Sequence, residues 1–263
     1  MARPYAVQGK KRKRKEARYD QQVPVETQTE KTSNGEEEEE VVNGHELEGI
    51  PLSPTEQNAA NEARVTFILE NASLEVAKVG KLLNFEDHEN FLSRNNRNPN
   101  DYRPDIVYQA LLMIMDSRIN KSGGLRAVYL RTKKGVLIEV KPHARLPRTF
   151  KRFSGLMLQL LQNQSVKCDS LLRVIKYPIS RYLPVNSRKI GFSFSSEKLV
   201  NINKFVASTS SDVDLVFVVG AMADGKIDKE YADEFISISD YPLSAAYCVS
   251  MITNALEAKY NLI

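Results

Sequence analysis

The chain has 263 residues, 42% hydrophobic and 27% charged, with two cysteines and no tryptophan. This suits one large domain or one domain with a tail; no apolar run nears the roughly 18 residues that span a bilayer, and the polar, basic N-terminus lacks the apolar core of a secretory signal. The formal net charge of +4 hides an asymmetry, because residues 1–60 hold 9 Lys+Arg against 12 Asp+Glu and the remainder 28 against 21; a basic folded part behind a mixed-charge tail points to a polyanionic partner.

Residues 1–60 read as a disordered tail. Their apolar residues have no period, so no packed face offsets the entropy of ordering them. The run Lys10-Lys11-Arg12-Lys13-Arg14-Lys15 reads as a nuclear import signal, a nonspecific RNA-contacting patch or a solvated charge run. The glutamates 36–40 read as solvated. A folded domain is expected over 61–263, opening with a strand at Arg64-Val65-Thr66-Phe67-Ile68-Leu69. Leu74 to Leu83 reads as helical, and Asn84 to Asn100 as polar, turn-rich loop. Pro104 suits a first helical turn, and Ile106, Ala110, Leu111, Ile114 and Met115 follow at helical spacing.

Ala127–Leu130 and Val136–Val140 read as a hairpin joined by Lys133-Lys134-Gly135. A helix is expected from about Arg148 through Phe153, Met157, Leu160 and Leu161, and a strand over Ile190–Phe194. Asp214–Val219 is an apolar run ending at Gly220, as a buried parallel strand does. Ile236–Ile238 reads as a short strand and the last 20 residues as a terminal helix. Alternating strands and helices predict an α/β protein with a mostly parallel sheet covered by helices on both faces.

Two glycine-bearing strand ends mark a candidate binding site: Val219-Gly220-Ala221-Met222-Ala223-Asp224-Gly225 and Ile238-Ser239-Asp240-Tyr241-Pro242-Leu243-Ser244-Ala245. In open α/β sheets ligands bind beyond the carboxyl ends of strands, and glycine there admits close backbone approach. Neither a dinucleotide-binding Gly-x-Gly-x-x-Gly nor a phosphate-binding Gly-x-x-x-x-Gly-Lys loop is present. Cys168 and Cys248 lie far apart and suit a reducing compartment. With His45, His88 and His143 scattered, no metal site is expected.

The segment Val218–Gly225 followed by Ile238–Ala246 resembles the cofactor region of the SPOUT methyltransferases. It is most similar to the eukaryotic and archaeal pseudouridine-N1-specific ribosomal RNA methyltransferases of small-subunit biogenesis. Arg103-Pro104-Asp105-Ile106 and Arg145-Leu146-Pro147-Arg148-Thr149-Phe150-Lys151-Arg152-Phe153 resemble the same family's RNA-facing motifs. The likeness runs from about Arg64 to the C-terminus. It implies a SPOUT-type trefoil knot that clasps S-adenosylmethionine and releases S-adenosylhomocysteine. The cofactor would be held by Gly220, Gly225, Asp240, Tyr241, Pro242, Leu243, Ser244 and Ala245, with Phe192 or Ser193 adding a contact. Asp240 stands where the family usually has Asn, Asp224 where it often has His, and Ala258–Asn261 where relatives often carry Trp.

Charge adds its own argument. Residues 103–152 hold twelve Lys+Arg and three Asp+Glu, an excess that can neutralise phosphates and release counterions. Arg148, Lys151 and Arg152 have the spacing of one helical face. Cations there oppose the helix dipole unless an anion binds. By resemblance Arg103, Arg145, Arg148 and Arg152 contact rRNA. The resemblance also implies Arg103 and Asp105 as the catalytic pair, with Asp105 expected to orient Arg103; a carboxylate engaged in this way is a weaker general base. The resemblance further implies a homodimer in the nucleus and nucleolus, with pre-ribosomal assembly proteins as further partners. The alternative function is a non-catalytic rRNA-binding assembly factor.

Overall fold

The computed structural model describes residues 64–77, 80–142, 144–163, 172–227 and 232–262. The expected disordered tail, its basic and acidic runs, His45, His143 and Cys168 lie outside the described residues. The elements in chain order are β1 (Val65–Ala72), α1 (Phe85–Arg94), α2 (Pro104–Asp116), α3 (Arg118–Lys121), β2 (Leu125–Thr132), β3 (Leu137–Val140), α4 (Phe150–Asn163), β4 (Leu172–Ile175), β5 (Ser187–Phe192), α5 (Ile202–Ala207), β6 (Asp214–Gly220), β7 (Glu234–Ile236) and α6 (Ala245–Lys259).

The seven strands form one sheet in the order β4-β3-β2-β1-β6-β5-β7. β2, β1, β6, β5 and β7 run parallel, while β3 and β4 add an antiparallel edge. The central strands read as apolar runs because both their faces are covered. Alternation sorts their side chains: Phe67, Leu69, Phe217 and Val219 join the larger core with α2, α4, α5 and α6. Ile68, Val216 and Val218 point into a smaller core closed by Ile179, Leu183 and Ile227. Helical cover on both faces was expected. Among the described residues the smaller core is instead closed by irregular chain and a short 3-10 turn at Ile179–Arg181.

Three local expectations are corrected. Among the described residues of Leu74–Leu83 there is no helix but a hairpin pairing, in which Val76 bridges Leu82 and the Ala77 amide donates to the Lys81 carbonyl at 2.7 Å. Gly80 turns it at φ +71°, and the buried leucines 74, 82 and 83 are drawn in by tertiary packing. Most of Asn84–Asn100 is helix α1, which buries only Leu92 and so shows no apolar stripe. Its available signal was the cap: the Asn84 side chain accepts from the Glu86 amide, with Glu86 and Asp87 in the first turn. α4 begins at Phe150, so Arg148 precedes the helix and does not share a helical face with Lys151 and Arg152. β4, α3 and α5 are short elements that the sequence pattern did not announce.

At Gly191 on β5, a Cβ would fall 2.5 Å from the Phe235 ring of neighbouring β7. Gly191→Ala is expected to destabilise the fold by about 1–3 kcal/mol through overpacking, read as a lower urea midpoint at unchanged m-value.

Candidate active site

Beyond the carboxyl ends of β5, β6 and β7 lies a cleft of about 620 Å³, well within the range of small-molecule sites. One wall is Phe192 and Ser193 at the end of β5; the next is Val219 to Ile227 after β6, and a third runs from Ile236 past β7 into the first turn of α6. The β5 and β7 walls are tied together: the Ser237 amide donates to the Lys198 carbonyl and the Val200 amide to the Ser237 carbonyl, both at 2.8 Å. The start of α2 brings Arg103, Asp105, Ile106 and Gln109 to the same cleft.

Of the residues singled out for the cofactor, Phe192, Ser193, Gly220, Gly225 and Tyr241–Ala245 all line this cleft. Asp240 does not; its side chain is exposed on the loop. Cleft residues that the sequence did not announce include Gln109, Phe194 and Cys248. Met222 lies against both glycines: a Cβ on Gly220 would lie 3.1 Å from its Cε, and one on Gly225 3.0 Å from its Sδ. At φ +138°, Gly225 also holds a backbone that L side chains rarely adopt.

Main-chain donors gather at the start of α6. Ser244 caps α6 by accepting the Tyr247 amide at 3.2 Å. The amides of Ala245 and Ala246 precede the first intrahelical bond, and both residues line the cleft with nothing larger than a methyl group. The preceding loop is folded on itself, with the Ser237 hydroxyl donating to the Ser239 carbonyl and Ser239 Oγ accepting the Tyr241 amide. Walls of mixed polar and apolar character with helix-start amides fit a nucleoside carrying an amino-acid chain better than a metal. Among the described residues no group of three or more His, Cys, Asp or Glu is placed to hold one.

Arg103 caps α2 and forks onto Asp105, with Nε to Oδ1 at 2.9 Å and Nη2 to Oδ2 at 2.7 Å. Its guanidinium also sits 4.8 Å from the centre of the Phe85 ring on α1. The Asp105 hydrogen bonds raise the Arg103 pKa above its ordinary value, so the group is a permanent cation aimed by two neighbours. At the other end of α2, Arg148 forks onto Asp116 at 2.5 and 3.0 Å, and this bond holds the Asp116 carboxyl below its usual range. The Tyr108 hydroxyl donates to the Pro147 carbonyl at 3.0 Å, docking the arginine-bearing segment on α2.

The basic excess of residues 103–152 is not one surface. Arg126 is bound to Asp214, Arg131 to the buried Glu70, Lys133 to Asp101 and Lys134 to Glu75. Arg145, Lys151 and Arg152 are exposed, and among the described residues none of them pairs with a carboxylate. None of Arg145, Arg148 and Arg152 lines the cleft; Arg103 alone joins the arginine set to it.

Cys248, on the first turns of α6, is buried and its thiol is pushed up to about 12 by desolvation. It is expected to resist iodoacetamide at pH 8 in the folded protein and to react in denaturant, as peptide mass spectrometry would show. Labelling of native Cys248 at the rate of an exposed thiol would contradict this burial.

Comparison with known proteins bears directly on the cleft. The profile of the EMG1/NEP1 methyltransferases matches residues 67–257, from β1 through the first turns and body of α6. The chain belongs to the EMG1/NEP1 methyltransferase family. Within that family it is 49% identical over 207 residues to the ribosomal RNA small subunit methyltransferase NEP1 of Mus musculus, covering 76% of this chain and 83% of the mouse protein. It is 46% identical over 213 residues to the Homo sapiens protein of the same name, covering 78% of this chain and 86% of that one. Among solved structures, Archaeoglobus fulgidus Nep1 bound to S-adenosylhomocysteine superposes with a TM-score of 0.63 at 20% identity, covering 76% of this chain and 99% of that chain. That likeness carries the fold alone, a mostly parallel α/β sheet.

Proposed function

We propose that this protein transfers a methyl group from S-adenosylmethionine to ring N1 of a pseudouridine in small-subunit ribosomal RNA, in the service of small-subunit biogenesis. The observation that carries the reading is the Arg103–Asp105 fork standing in a cleft built from three strand ends and the start of α6. Relatives sharing nearly half their residues with this chain are named as methyltransferases of small-subunit rRNA. A distant relative with the same fold carries the demethylated product of this methyl donor.

The chain's own residues would divide the work. The backbone of Tyr241–Ala246 and the loop containing Gly220 and Gly225 would hold S-adenosylmethionine, which supplies a methyl already activated on sulfonium sulfur. No covalent enzyme intermediate is then needed. The protein must hold the accepting nitrogen in line with that methyl, about 3–3.5 Å away. Pseudouridine is joined to its ribose through carbon, so N1 is free but protonated. As that proton passes to solvent water, negative charge spreads onto the ring carbonyls, and a fixed guanidinium lowers the cost. Arg103 supplies it. Both Asp105 oxygens are engaged by that guanidinium, so Asp105 serves orientation. The target base must leave its stack to reach the cleft, with Arg145, Arg148 and Arg152 gripping flanking phosphates.

The reading extends to the assembly. The bonded contact between 198–200 and Ser237, followed by α6 packing on α2 and α5, suits a C-terminal segment threaded through a trefoil knot. Met113 on α2 and Tyr247 on α6 leave apolar surface exposed, which suits a homodimer; sedimentation at the monomer mass at micromolar concentration would remove it. A nuclear and nucleolar location, and contact with pre-ribosomal assembly proteins, follow from the ribosomal substrate and the basic run at 10–15.

The test is methyl transfer from radiolabelled S-adenosylmethionine to a short RNA hairpin carrying one pseudouridine, beside the same hairpin with uridine. Label on the pseudouridine hairpin alone is the expected result. Label on both would remove the base assignment. Label on neither, with RNA and cofactor both bound, would move the function to a non-catalytic rRNA-binding assembly factor.

A further inference from the structure

Helix α2 brings three side chains to the cleft: Asp105, Ile106 and Gln109. Ile106 packs against the larger core, and both oxygens of Asp105 are taken by Arg103. Gln109 is different. It is exposed, flanked by buried Tyr108 and Ala110, and among the described residues its carboxamide makes no hydrogen bond. It stands four residues beyond Asp105, so the two share a helical face and lie about 6 Å apart along the axis. A polar side chain with open hydrogen-bonding capacity, one turn from the orienting carboxylate and facing the same cleft, is placed to meet what Arg103 meets.

The chemistry of the carboxamide narrows what that is. It offers one acceptor and two donors in a plane. A uracil-type ring offers a complementary edge, with the N3–H donor beside the C4 carbonyl acceptor. In pseudouridine that edge lies across the ring from N1. A carboxamide accepting from N3–H and donating to O4 would fix the ring in its plane and turn N1 the other way, leaving O2 on the side between them. O2, next to N1, is where a guanidinium best meets the charge that develops as N1 loses its proton. We infer that Gln109 reads the N3–H and O4 edge of the flipped base and so sets N1 toward the methyl donor, while Arg103 meets O2. This rests on the pseudouridine reading above and assigns the side chain that orients the ring.

The experiment uses the full chain, its Gln109→Leu variant, and two hairpins that carry pseudouridine or N3-methylpseudouridine at the target. Leucine is a strong helix former at an exposed position, and an unchanged melting temperature would show that the variant folds. With the pseudouridine hairpin, Gln109→Leu is expected to lose about ten- to a hundredfold in kcat/KM, with the affinities for S-adenosylhomocysteine and for RNA unchanged. N3-methylation is expected to slow the unsubstituted protein by a similar factor and to slow Gln109→Leu little further, because the same contact is already gone. Full kcat/KM in Gln109→Leu would overturn the inference. So would N3-methylation that slows both proteins by the same factor, or a fall in S-adenosylhomocysteine affinity, which would place Gln109 on the cofactor. If the unsubstituted protein does not label the pseudouridine hairpin at all, the pseudouridine reading fails first, and the inference falls with it.

Discussion

Replacing Arg103 with alanine is expected to lower methyl transfer by about two to three orders of magnitude, the loss seen when one fixed donor to a developing anion is removed. Binding of S-adenosylhomocysteine should change little, because the groups proposed to hold the cofactor lie on other elements, the loops after β6 and β7 and the start of α6. Lysine at 103 should not restore the rate: a point charge cannot reproduce the planar fork that locks onto both Asp105 oxygens. Asp105→Ala should cost less than Arg103→Ala, since it frees the guanidinium to wander without removing it. Single-turnover rates with saturating cofactor, together with calorimetric titration of S-adenosylhomocysteine, separate these effects. An Arg103→Ala protein that loses cofactor affinity and turnover in equal measure would remove Arg103 from the chemistry.

The second large effect concerns stability. Phe217 is fully buried at the centre of β6. Its ring centroid lies 5.6 Å from that of Phe67 on β1 and 5.8 Å from that of Phe192, which lines the cleft at the end of β5. Phe217→Ala removes a large side chain from three parallel strands at once and leaves a cavity that rigid sheet cannot close. The expected cost is about 3–5 kcal/mol, or roughly 6–20 °C in melting temperature for a domain of this size. Phe217→Leu should cost markedly less, because it keeps most of the volume. Because Phe192 rests on the altered ring, Phe217→Ala should also weaken S-adenosylhomocysteine binding at temperatures where the protein is still folded. Equal stability of Phe217→Ala and the parent would contradict the packing at the sheet centre.

Much of this arrangement is legible in the residues. β6 and β1 announce themselves because strands buried on both faces are apolar throughout, and α2 because Pro104 and the spacing from Ile106 to Met115 mark a start and a stripe. The cofactor segments stood out because glycine follows a buried strand at Gly220, and their assignment came from resemblance to a methyltransferase family. What failed did so for physical reasons. α1 buries one side chain, Leu92, so it has no apolar period to find. The leucines at 74, 82 and 83 mimic a helical stripe, yet they are buried from a hairpin. Arg148 fits a helical face by spacing, but the Tyr108–Pro147 bond and the Asp116 fork hold it before the helix begins. Charge counting joined cations that the fold separates, because a sequence sum does not show that Arg131 turns to Glu70 or Lys134 to Glu75. Gln109 escaped notice since a lone glutamine carries no signal until its neighbours in space are known.

The sheet order has a consequence for the history of each molecule. β5 lies between β6 and β7, and the cleft draws on Arg103 early in the sequence and on Cys248 late in it. A chain emerging from the ribosome can pair Arg103 with Asp105 almost at once, since they are neighbours, but it has no pocket until β7 and the head of α6 have been made and docked. Domains take shape N-terminal end first during synthesis, and distant contacts are the slow ones. The exposed cations Arg145, Lys151 and Arg152 are therefore made before the cleft is complete, and a nascent chain carries them at a stage when its pocket has not yet closed.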